Sequence, residues 1–227
     1  AGRYDVVHLH SPLSPILPLL AIEEAECPVV GTFHTYFDHS YGYRLLNGYF
    51  QKRLDMLAAA ICVSHSTTVA LERYFSAPWQ IIPNGIDTEV FHPSVAPPSV
   101  IRKDIPSILF LGRFDPRNGL TTLIDSFRKV KGRRRRAQLV VVGDGPLREH
   151  YYRQANGDPD ISFVGAVLEG RPSYYAHSSI YACPTTKASF GITLLESMAC
   201  ETPIVCSDIL GFQDVVVNGR EALMTPC

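Results

Sequence analysis

Four short loops combine small residues with side chains that bind anions or hydroxyl groups. Each loop joins a short apolar run to a longer amphipathic one. In the first, LGRFDPRNG at 111–119, Gly112 lets the backbone approach a ligand closely and Arg113 brings a permanent planar cation suited to a diphosphate. A turn in which Arg113 only pairs with Asp115 fits the same spacing equally well, so both interpretations stay open.

The second loop reads VGDGP at 142–146 and contains Asp144. Its glycines and its proline predict a tight turn from a strand into a helix. It lacks the full GxGxxG pattern of dinucleotide-binding proteins and the GK[ST] of a P-loop, so neither of those sites is indicated. A generic turn explains this loop as well as a ligand contact does.

The third loop reads TTKASFGI at 185–192 and runs into a predicted helix that carries Glu196. Free N–H groups at a helix start, together with the helix dipole, favour an anion such as a sugar diphosphate. A carboxylate in the second turn can accept two hydrogen bonds from a ribose diol. The alternative is a glutamate that only complements the helix dipole, which is the commoner situation.

The fourth loop contains His34, in the segment GTFHT that follows the second predicted strand. A histidine at the carboxyl end of a strand can contact a substrate hydroxyl or phosphate. A structural role is the commoner one for a single histidine, and both stay open.

The elements that must position these loops are short, continuously apolar runs separated by amphipathic stretches. Continuous apolar character is typical of parallel strands covered on both faces. The alternation predicts two Rossmann-like, doubly wound α/β domains facing a cleft, with ligands at the carboxyl ends of the strands. The predicted strands are 5–9, 28–33, 60–63, 79–82, 107–111, 138–142, 161–164, 180–182, 203–206 and 222–224, and the predicted helices include 43–58, 67–75, 120–131 and 192–200.

A proline-rich stretch marks the predicted domain boundary. Because it holds Pro93, Pro97, Pro98 and Pro106, we predict a first domain at 1–92, a linker at 93–106 and a second domain at 107–227. The only charge run, GRRRR at 132–136, is predicted to be a solvated loop, with a weak contact to an anionic surface as the minor alternative.

Composition excludes several classes of protein. The chain is 46% hydrophobic and 19% charged with a net charge of −1, which excludes extensive disorder, collagen and coiled coil and indicates no nucleic-acid partner. The longest apolar run, near 13–22, is too short and too interrupted to span a bilayer, and no signal peptide is visible. The six cysteines show no metal-binding spacing and are expected to be reduced thiols of a cytoplasmic protein.

The order of the motifs resembles glycosyltransferase family 4, the two-domain enzymes of the GT-B type, and within it the phosphatidylinositol α-mannosyltransferase type. The resemblance covers essentially the whole chain. It implies that the chain lacks strand–helix units at its start, so that the N-terminal domain is incomplete, and helices at its end. The motifs that carry it are DVVHLHSPLSP (5–15), VVGTFHTYF (29–37), AAICVSHST (59–67), IIPNGIDTEVFHP (81–93), ILFLGRFDPRNGL (108–120), LVVVGDGPL (139–147) and SFGITLLESMACETPIVCSD (189–208).

The resemblance implies roles for individual residues. Arg113 matches the arginine that binds the donor diphosphate, Glu196 the glutamate that binds the ribose, and His34 the histidine that approaches the transferred sugar. We therefore expect His34 and Arg113 to be catalytic, with anomeric configuration retained and with neither metal nor cofactor. The predicted donor-binding set is Gly112, Arg113, Asn118, Asp144, Lys187, Ser189, Phe190, Gly191, Ile192 and Glu196.

Three positions depart from the family pattern. Ala188 stands where the first glutamate of the family's paired-glutamate signature is expected, Asn118 where a diphosphate-binding lysine is expected, and Ser11 where a glutamate is common. We hypothesise that Lys187 reaches the diphosphate and restores the missing positive charge. The alternative is a solvent-facing loop lysine.

The expected function is transfer of a hexose, mannose from GDP-mannose, to a hydroxyl of a glycan or of a phosphatidylinositol-type lipid. The expected location is cytoplasmic, peripheral on the inner face of the membrane. A non-catalytic nucleotide-sugar-binding or scaffolding protein is the main alternative, favoured by Ala188 and Asn118 but not by the intact Arg113, Gly191 and Glu196. A sugar-phosphate epimerase is disfavoured because its expected histidine and acidic residues are absent.

Overall fold

The computed structural model describes residues 4–133 and 136–227, and within them the chain forms two compact units. The first unit holds residues up to Asn84 together with Ala188–Phe190 and Leu210–Asp214. The second unit holds Gly85–Lys187, Gly191–Ile209 and Val215–Cys227. Each unit contains one parallel sheet, so the predicted α/β class is confirmed.

The first unit is built on a four-stranded parallel sheet in the order β1-β2-β3-β4. Its core lies between the sheet and the helices and includes Phe33, Leu54, Leu71 and Phe75. The elements are β1 (Val7–His10), α1 (Leu17–Glu24), β2 (Val29–Phe33), α2 (Tyr41–Leu45), α3 (Asn47–Leu54), β3 (Ala59–Cys62), α4 (His65–Glu72) and β4 (Trp79–Ile81).

The second unit is built on a six-stranded parallel sheet in the order β10-β9-β8-β5-β6-β7. The short helix α9 (Leu210–Gln213) precedes β10 in the chain but belongs to the first unit. The elements are β5 (Ser107–Leu111), α5 (Leu120–Arg133), β6 (Gln138–Val142), α6 (Arg148–Ala155), β7 (Ile161–Gly165), α7 (Arg171–Ala176), β8 (Ile180–Cys183), α8 (Ile192–Ala199), β9 (Ile204–Ser207) and β10 (Ala222–Thr225).

Helix α5 shows how the sequence specifies the core of the second unit. Its apolar residues recur at the spacing that places them on one helical face, and Leu120, Leu123, Ile124 and Phe127 are all buried. They pack with side chains of the apolar strands β5 and β6 in one hydrophobic cluster. All five residues of β6 are buried. Apolar strands and a single-sided helix therefore produce the covered parallel sheet that the sequence predicts.

The predicted helix at 43–58 was wrong in one respect, since the chain forms the two helices α2 and α3 instead. Leu46, between them, leaves helical geometry with φ −107° and ψ 25°. Gly42 and Gly48 lower the helix propensity on both sides of this break, and the side chain of Asn47 donates a hydrogen bond to the carbonyl of Tyr74. This contact joins the break between the helices to a residue 27 positions further along the chain, so the local sequence does not reveal it.

The second compact unit begins at Gly85 and so includes the predicted linker 93–106. The physical reason is burial, because Phe91 is 8% exposed and Ile101 is 7% exposed. The ring of Phe91 packs edge-on against Tyr175, with ring centres 6.4 Å apart. Residues 85–106 are therefore part of the second unit.

The basic run GRRRR falls partly within the described structure. Gly132 and Arg133 lie in the last turn of α5, and Arg136 forms an ion pair with Asp104 at 2.6 Å. Arg134 and Arg135 lie outside the described residues.

Gly119, at the start of α5, has a left-handed backbone with φ 73°. A Cβ at this position would lie 2.1 Å from the carbonyl oxygen of Pro184. We expect Gly119→Ala to lower the free energy of unfolding by at least about 2 kcal/mol, because a left-handed backbone alone costs a non-glycine residue about 1–3 kcal/mol. Urea unfolding followed by circular dichroism measures this change.

Gly132→Ala is the matched control for Gly119→Ala. Gly132 lies within α5, and a Cβ there would meet no atom within 4 Å. We expect this substitution to raise stability by up to about 1 kcal/mol, the difference in helix propensity between the two residues. Equal effects of the two substitutions would contradict the role assigned to Gly119.

Candidate functional site

The strand order of the second sheet reverses between β5 and β8, which run side by side. From β5 the chain proceeds outward to β6 and β7 on one side, and from β8 to β9 and β10 on the other. In open parallel sheets, ligands bind at such a reversal, in the crevice outside the carboxyl ends of the strands. A ligand site is therefore expected at the loops that follow β5 and β8.

A cavity of about 330 Å³ opens at these carboxyl ends. It is formed by the loops that follow β5, β6 and β7 and by the beginnings of α7 and α8. Among the predicted site residues it brings together Gly112, Arg113 and Asp144, and it adds Arg171 and Thr193. Its volume is at the lower end of the range for small-molecule sites.

The two loops that form one side of this cavity, called here the glycine loops (residues 112–114 and 143–145), are packed backbone to backbone. The N–H of Gly112 donates to the carbonyl of Val142 at 3.0 Å, and the N–H of Phe114 donates to the carbonyl of Asp144 at 2.9 Å. Gly143 has φ 144°, and a Cβ there would lie 1.9 Å from the carbonyl oxygen of Gly112. Glycine is therefore required at residue 143 for this packing.

Arg113 is exposed at this cavity, and the carboxylate of Asp115 pairs with Arg117 at 3.5 Å rather than with Arg113. The arrangement differs from the alternative in which Arg113 serves only to neutralise Asp115. The side-chain amide of Asn118 donates to the carbonyl of Arg113 at 2.8 Å. Asn118 thus braces the loop that carries Arg113, which is a structural contact the sequence did not indicate.

Asp144 is engaged within its own loop. Its carboxylate accepts the N–H of Gly145 at 2.7 Å and pairs with Arg148, the first residue of α6, at 3.2 Å. These contacts fix the turn that follows β6.

Glu196 lies in α8 and is 3% exposed. Its Oε2 accepts the hydroxyl proton of Tyr175 at 2.9 Å, and its Oε1 lies 3.2 Å from Nη1 of Arg171. Burial raises the pKa of Glu196, while the Tyr175 hydrogen bond and the Arg171 charge lower it and offset part of that effect. A carboxylate has about four lone-pair positions, so both oxygens keep capacity for a ligand diol.

The contacts of Arg171 and Tyr175 with Glu196 were not predicted from the sequence. Arg171 follows Gly170 at the start of α7 and stacks over the ring of Phe91, with its guanidinium carbon 5.6 Å from the ring centre. One signal was present, since Arg171 lies in the segment after the predicted strand 161–164, the same kind of position as the four loops. Tyr175 is buried in the helix and gave no signal at all.

The segment before α8 is divided between the units. Lys187, Gly191 and Ile192 belong to the second unit, whereas Ser189 and Phe190 belong to the first. Gly191 is the N-cap residue of α8 and offers no capping side chain, so the first N–H groups of the helix are not satisfied by a side-chain cap. This is the arrangement that the predicted anion site requires.

Ser189 makes its hydrogen bonds within the first unit. Its carbonyl accepts the hydroxyl protons of Ser64 at 2.5 Å and of Ser66 at 2.9 Å, and its Oγ accepts the N–H of Tyr36 at 2.8 Å. The Ser189 side chain is therefore occupied by a protein partner in this structure.

His34 follows β2 in the first unit and lines a separate cavity of about 280 Å³ with hydroxyl-bearing residues that include Ser11, Thr35 and Ser40. Its Nε2 lies 2.7 Å from Nδ1 of His10. Burial, followed by the charges of His10 and His8, lowers the pKa of His34, so the ring is neutral at pH 7. The HLH pattern of β1 could have indicated that His8 and His10 lie together, because alternate residues of a strand share one face.

Within residues 4–133 and 136–227, no group of three or more histidine, cysteine, aspartate or glutamate side chains is arranged to hold a metal ion. Among the helices in that part of the chain, none combines the length and apolar character needed to cross a membrane.

Comparison with known proteins agrees with this architecture. Residues 105–227 match the family described as glycosyl transferases group 1, and residues 1–90 match glycosyltransferase family 4. The chain belongs to this glycosyltransferase family, which confirms the resemblance seen in the sequence.

Particular relatives narrow the comparison. The phosphatidyl-myo-inositol mannosyltransferase of Mycobacterium tuberculosis is 32% identical over 228 residues, which cover 99% of this chain and 60% of the relative. The enzyme of the same name from Propionibacterium freudenreichii is 34% identical over 221 residues, covering 96% of this chain and 56% of the relative. The chain thus spans roughly three fifths of the length of these relatives.

Solved structures confirm the GT-B fold class. Sucrose-phosphate synthase from Thermosynechococcus elongatus matches with a TM-score of 0.79 and 24% identity over 98% of this chain and 61% of that one. Anabaena HepE, in complex with UDP and glucose, matches with a TM-score of 0.81 and 19% identity over 98% of this chain and 64% of that one. At these identities the likeness concerns the fold alone.

The hydrogen bond from Tyr175 to Glu196 leads to a prediction about pH. We expect Tyr175→Phe to lower the free energy of unfolding by about 1.5–3 kcal/mol at pH values above the pKa of Glu196, the usual value of a hydrogen bond to an ionised group. The loss should shrink as the pH falls through that raised pKa, because a protonated carboxyl group depends less on the donor. Denaturant unfolding across pH measures both effects.

Tyr174→Phe is the matched control, because Tyr174 is the neighbouring tyrosine of α7 and is only partly buried. We expect it to change stability by less than about 0.5 kcal/mol at every pH. A loss in Tyr175→Phe that did not vary with pH would show that packing, not the Glu196 carboxylate, accounts for it.

Proposed function

We propose that this chain is the donor-binding part, with some of the acceptor side, of a retaining hexosyltransferase. The reaction would be transfer of mannose from GDP-mannose to a hydroxyl of a phosphatidylinositol-type lipid. The observation that carries the proposal is the cavity at the reversal of the second sheet, which combines Arg113, the glycine loops and the start of α8 near a buried Glu196.

The diphosphate of the donor would meet two fixed sources of positive charge. Arg113 offers a planar guanidinium that can form two hydrogen bonds to phosphate oxygens. The uncapped first turn of α8 offers backbone N–H groups and the positive end of the helix dipole. Because these groups are fixed before the reaction, they stabilise the charge that develops on the leaving diphosphate without reorganising.

The ribose of the nucleotide would bind Glu196. Arg171 and Tyr175 hold the two carboxylate oxygens in position, and the oxygens retain acceptor capacity for the diol. Arg171 also lines the cavity itself and is therefore a further candidate contact for the nucleotide.

The identity of the donor and the acceptor rests on the relatives. Both named above are phosphatidyl-myo-inositol mannosyltransferases, and their similarity extends over nearly the whole of this chain. A lipid acceptor would require contact with a membrane surface, and we place the protein on its cytoplasmic side, where the thiols that are buried here stay reduced. We further propose that Arg113, α8 and Lys187 supply the charge stabilisation without a metal ion.

The non-catalytic alternative draws support only from Ala188 and Asn118. Similarity to named enzymes over 99% of the chain does not favour it. The contact of Asn118 with the Arg113 carbonyl gives that residue a structural role instead.

The proposal is tested by incubating the natural protein with a phosphatidylinositol acceptor and one nucleotide sugar at a time. The donors compared are GDP-mannose, UDP-glucose and other nucleotide sugars. We expect transfer from GDP-mannose with an α-linked product, established by NMR of the anomeric proton. Arg113→Ala should lower kcat by about 10²–10³-fold, the usual effect of removing one preorganised donor to a developing negative charge.

Arg117→Ala is the control for Arg113→Ala, since Arg117 is an exposed arginine close by in the same loop that pairs with Asp115. It should leave kcat within about twofold, as expected for an exposed ion pair. Donor binding without transfer to any hydroxyl acceptor would contradict the proposed activity.

Lys187 provides the test of charge compensation. We propose that its ammonium group contacts the diphosphate in place of the lysine that Asn118 replaces. Lys187→Ala should then weaken GDP binding by about 10- to 100-fold, because a charge-assisted hydrogen bond is lost. Isothermal titration calorimetry measures this, with the exposed Lys129→Ala as the control. Unchanged GDP affinity in Lys187→Ala would rule out the contact.

A further inference from the structure

The first two strands place three histidines on one face of the first sheet. β1 and β2 are parallel, with His8 opposite Val30 and His10 opposite Thr32. Alternate residues of a strand share a face, so His8 and His10 project to the same side, and Thr32 and His34 continue that face on the neighbouring chain segment. We call His8, His10 and His34 the histidine cluster.

Hydrogen bonds and ring contacts connect the histidine cluster. Nδ1 of His10 lies 2.7 Å from Nε2 of His34, with the ring centres 4.9 Å apart and the planes 26° from parallel. The rings of His8 and His10 are 4.6 Å apart, and Nε2 of His8 lies 2.7 Å from Oγ1 of Thr32. The orientation of the His34 ring is therefore fixed by His10.

A nitrogen–nitrogen distance of 2.7 Å means that one proton lies between the two rings. Neutral imidazole has one N–H donor and one bare acceptor nitrogen, and the hydrogen bond of one nitrogen sets the role of the other. If His10 donates, Nε2 of His34 is bare and its proton is on Nδ1. If His34 donates, Nδ1 of His34 is bare and becomes an acceptor.

The surroundings favour donation by His10. The His10 ring is exposed, so water can satisfy its other nitrogen, whereas the His34 ring is partly buried in the wall of its cavity. Burial and the neighbouring histidines lower the pKa of His34, which keeps that ring neutral and able to accept.

We propose that His10 is a positioning residue that donates from Nδ1 to Nε2 of His34 and so holds neutral His34 with its proton on Nδ1. His34 then presents an N–H donor, not a base, to an oxygen atom of a ligand in the cavity that it lines. This inference rests on the proposed function, in which the first unit supplies the acceptor side and the ligand oxygen belongs to the acceptor.

Three substitutions at His10 separate donation from stacking. The amide of asparagine can replace the Nδ1–H donor, ionised aspartate can only accept, and phenylalanine keeps only a ring. We expect His10→Asn to retain kcat within about threefold, and His10→Asp and His10→Phe to lose at least about tenfold, with His10→Asp the slower. The KM for GDP-mannose should not change, because the donor grip proposed above lies in the second unit.

NMR of the protein labelled with ¹⁵N-histidine reports the tautomer of His34 directly. In the natural protein and in His10→Asn we expect the proton on Nδ1, and in His10→Asp on Nε2. His8→Phe is the control, because it keeps a ring beside His10 and removes only the bond to Thr32. It should leave kcat and the His34 tautomer unchanged.

A proton on Nε2 of His34 in the natural protein would overturn the inference, and so would equal losses in His10→Asn and His10→Asp. These outcomes are distinct from a failure of the proposed function. Absence of transfer with every donor, together with the expected tautomers, would reject the activity and support the assignment of His10. Transfer that occurs and is unaffected in all three His10 variants would support the activity and reject the assignment of His10.

Discussion

The close approach of the two glycine loops is the constraint on which the rest of the proposed donor site depends. The carbonyl of Gly112 occupies the space that a side chain at residue 143 would need, with only 1.9 Å to an ideal Cβ. The loops share backbone hydrogen bonds, so the backbone that carries Arg113 at the end of β5 is held in place. Arg113 therefore lies beside the strand reversal. A bulkier residue at 143 would separate the loops and move that cation away from the start of α8.

The buried carboxylate of Glu196 presents the opposite problem, since an isolated ionised group in the interior is strongly unfavourable. Arg171 and Tyr175 supply a charge and a hydrogen bond to the two oxygens, and Phe91 packs against both of these partners. Segment 85–106 therefore does more than connect the units, since one of its aromatic side chains supports the residues that hold Glu196. Burial outweighs these two contacts and raises the pKa of Glu196, and a ribose hydroxyl of the proposed donor would add a further hydrogen bond to the carboxylate.

The sequence predicted every strand to within two residues at either end, because buried parallel strands are continuously apolar and that property is local. It also predicted the GT-B fold, the loop positions of Arg113 and His34, and the position of Glu196 in a helix. It did not predict the break at Leu46, the bracing contact of Asn118, or the partners Arg171, Tyr175 and His10. All of these except the local contact of Asn118 with Arg113 depend on segments distant in sequence, and the pairing register that places His10 beside His34 is one example.

The departures at 118 and 188 are best understood together. The family pattern pairs a lysine with a glutamate at these positions, whereas this chain has an amide and a methyl group, so the sum of the two charges is unchanged. The amide of Asn118 donates to the Arg113 carbonyl and braces that loop. In the proposed function, a diphosphate would therefore meet fixed dipoles and a braced arginine in place of a mobile lysine. With Lys187 present and no carboxylate at 188, the segment before α8 is more positive than the pattern. Under the proposed function, that charge balance would suit the diphosphate of the donor better than the hydroxyls of its hexose.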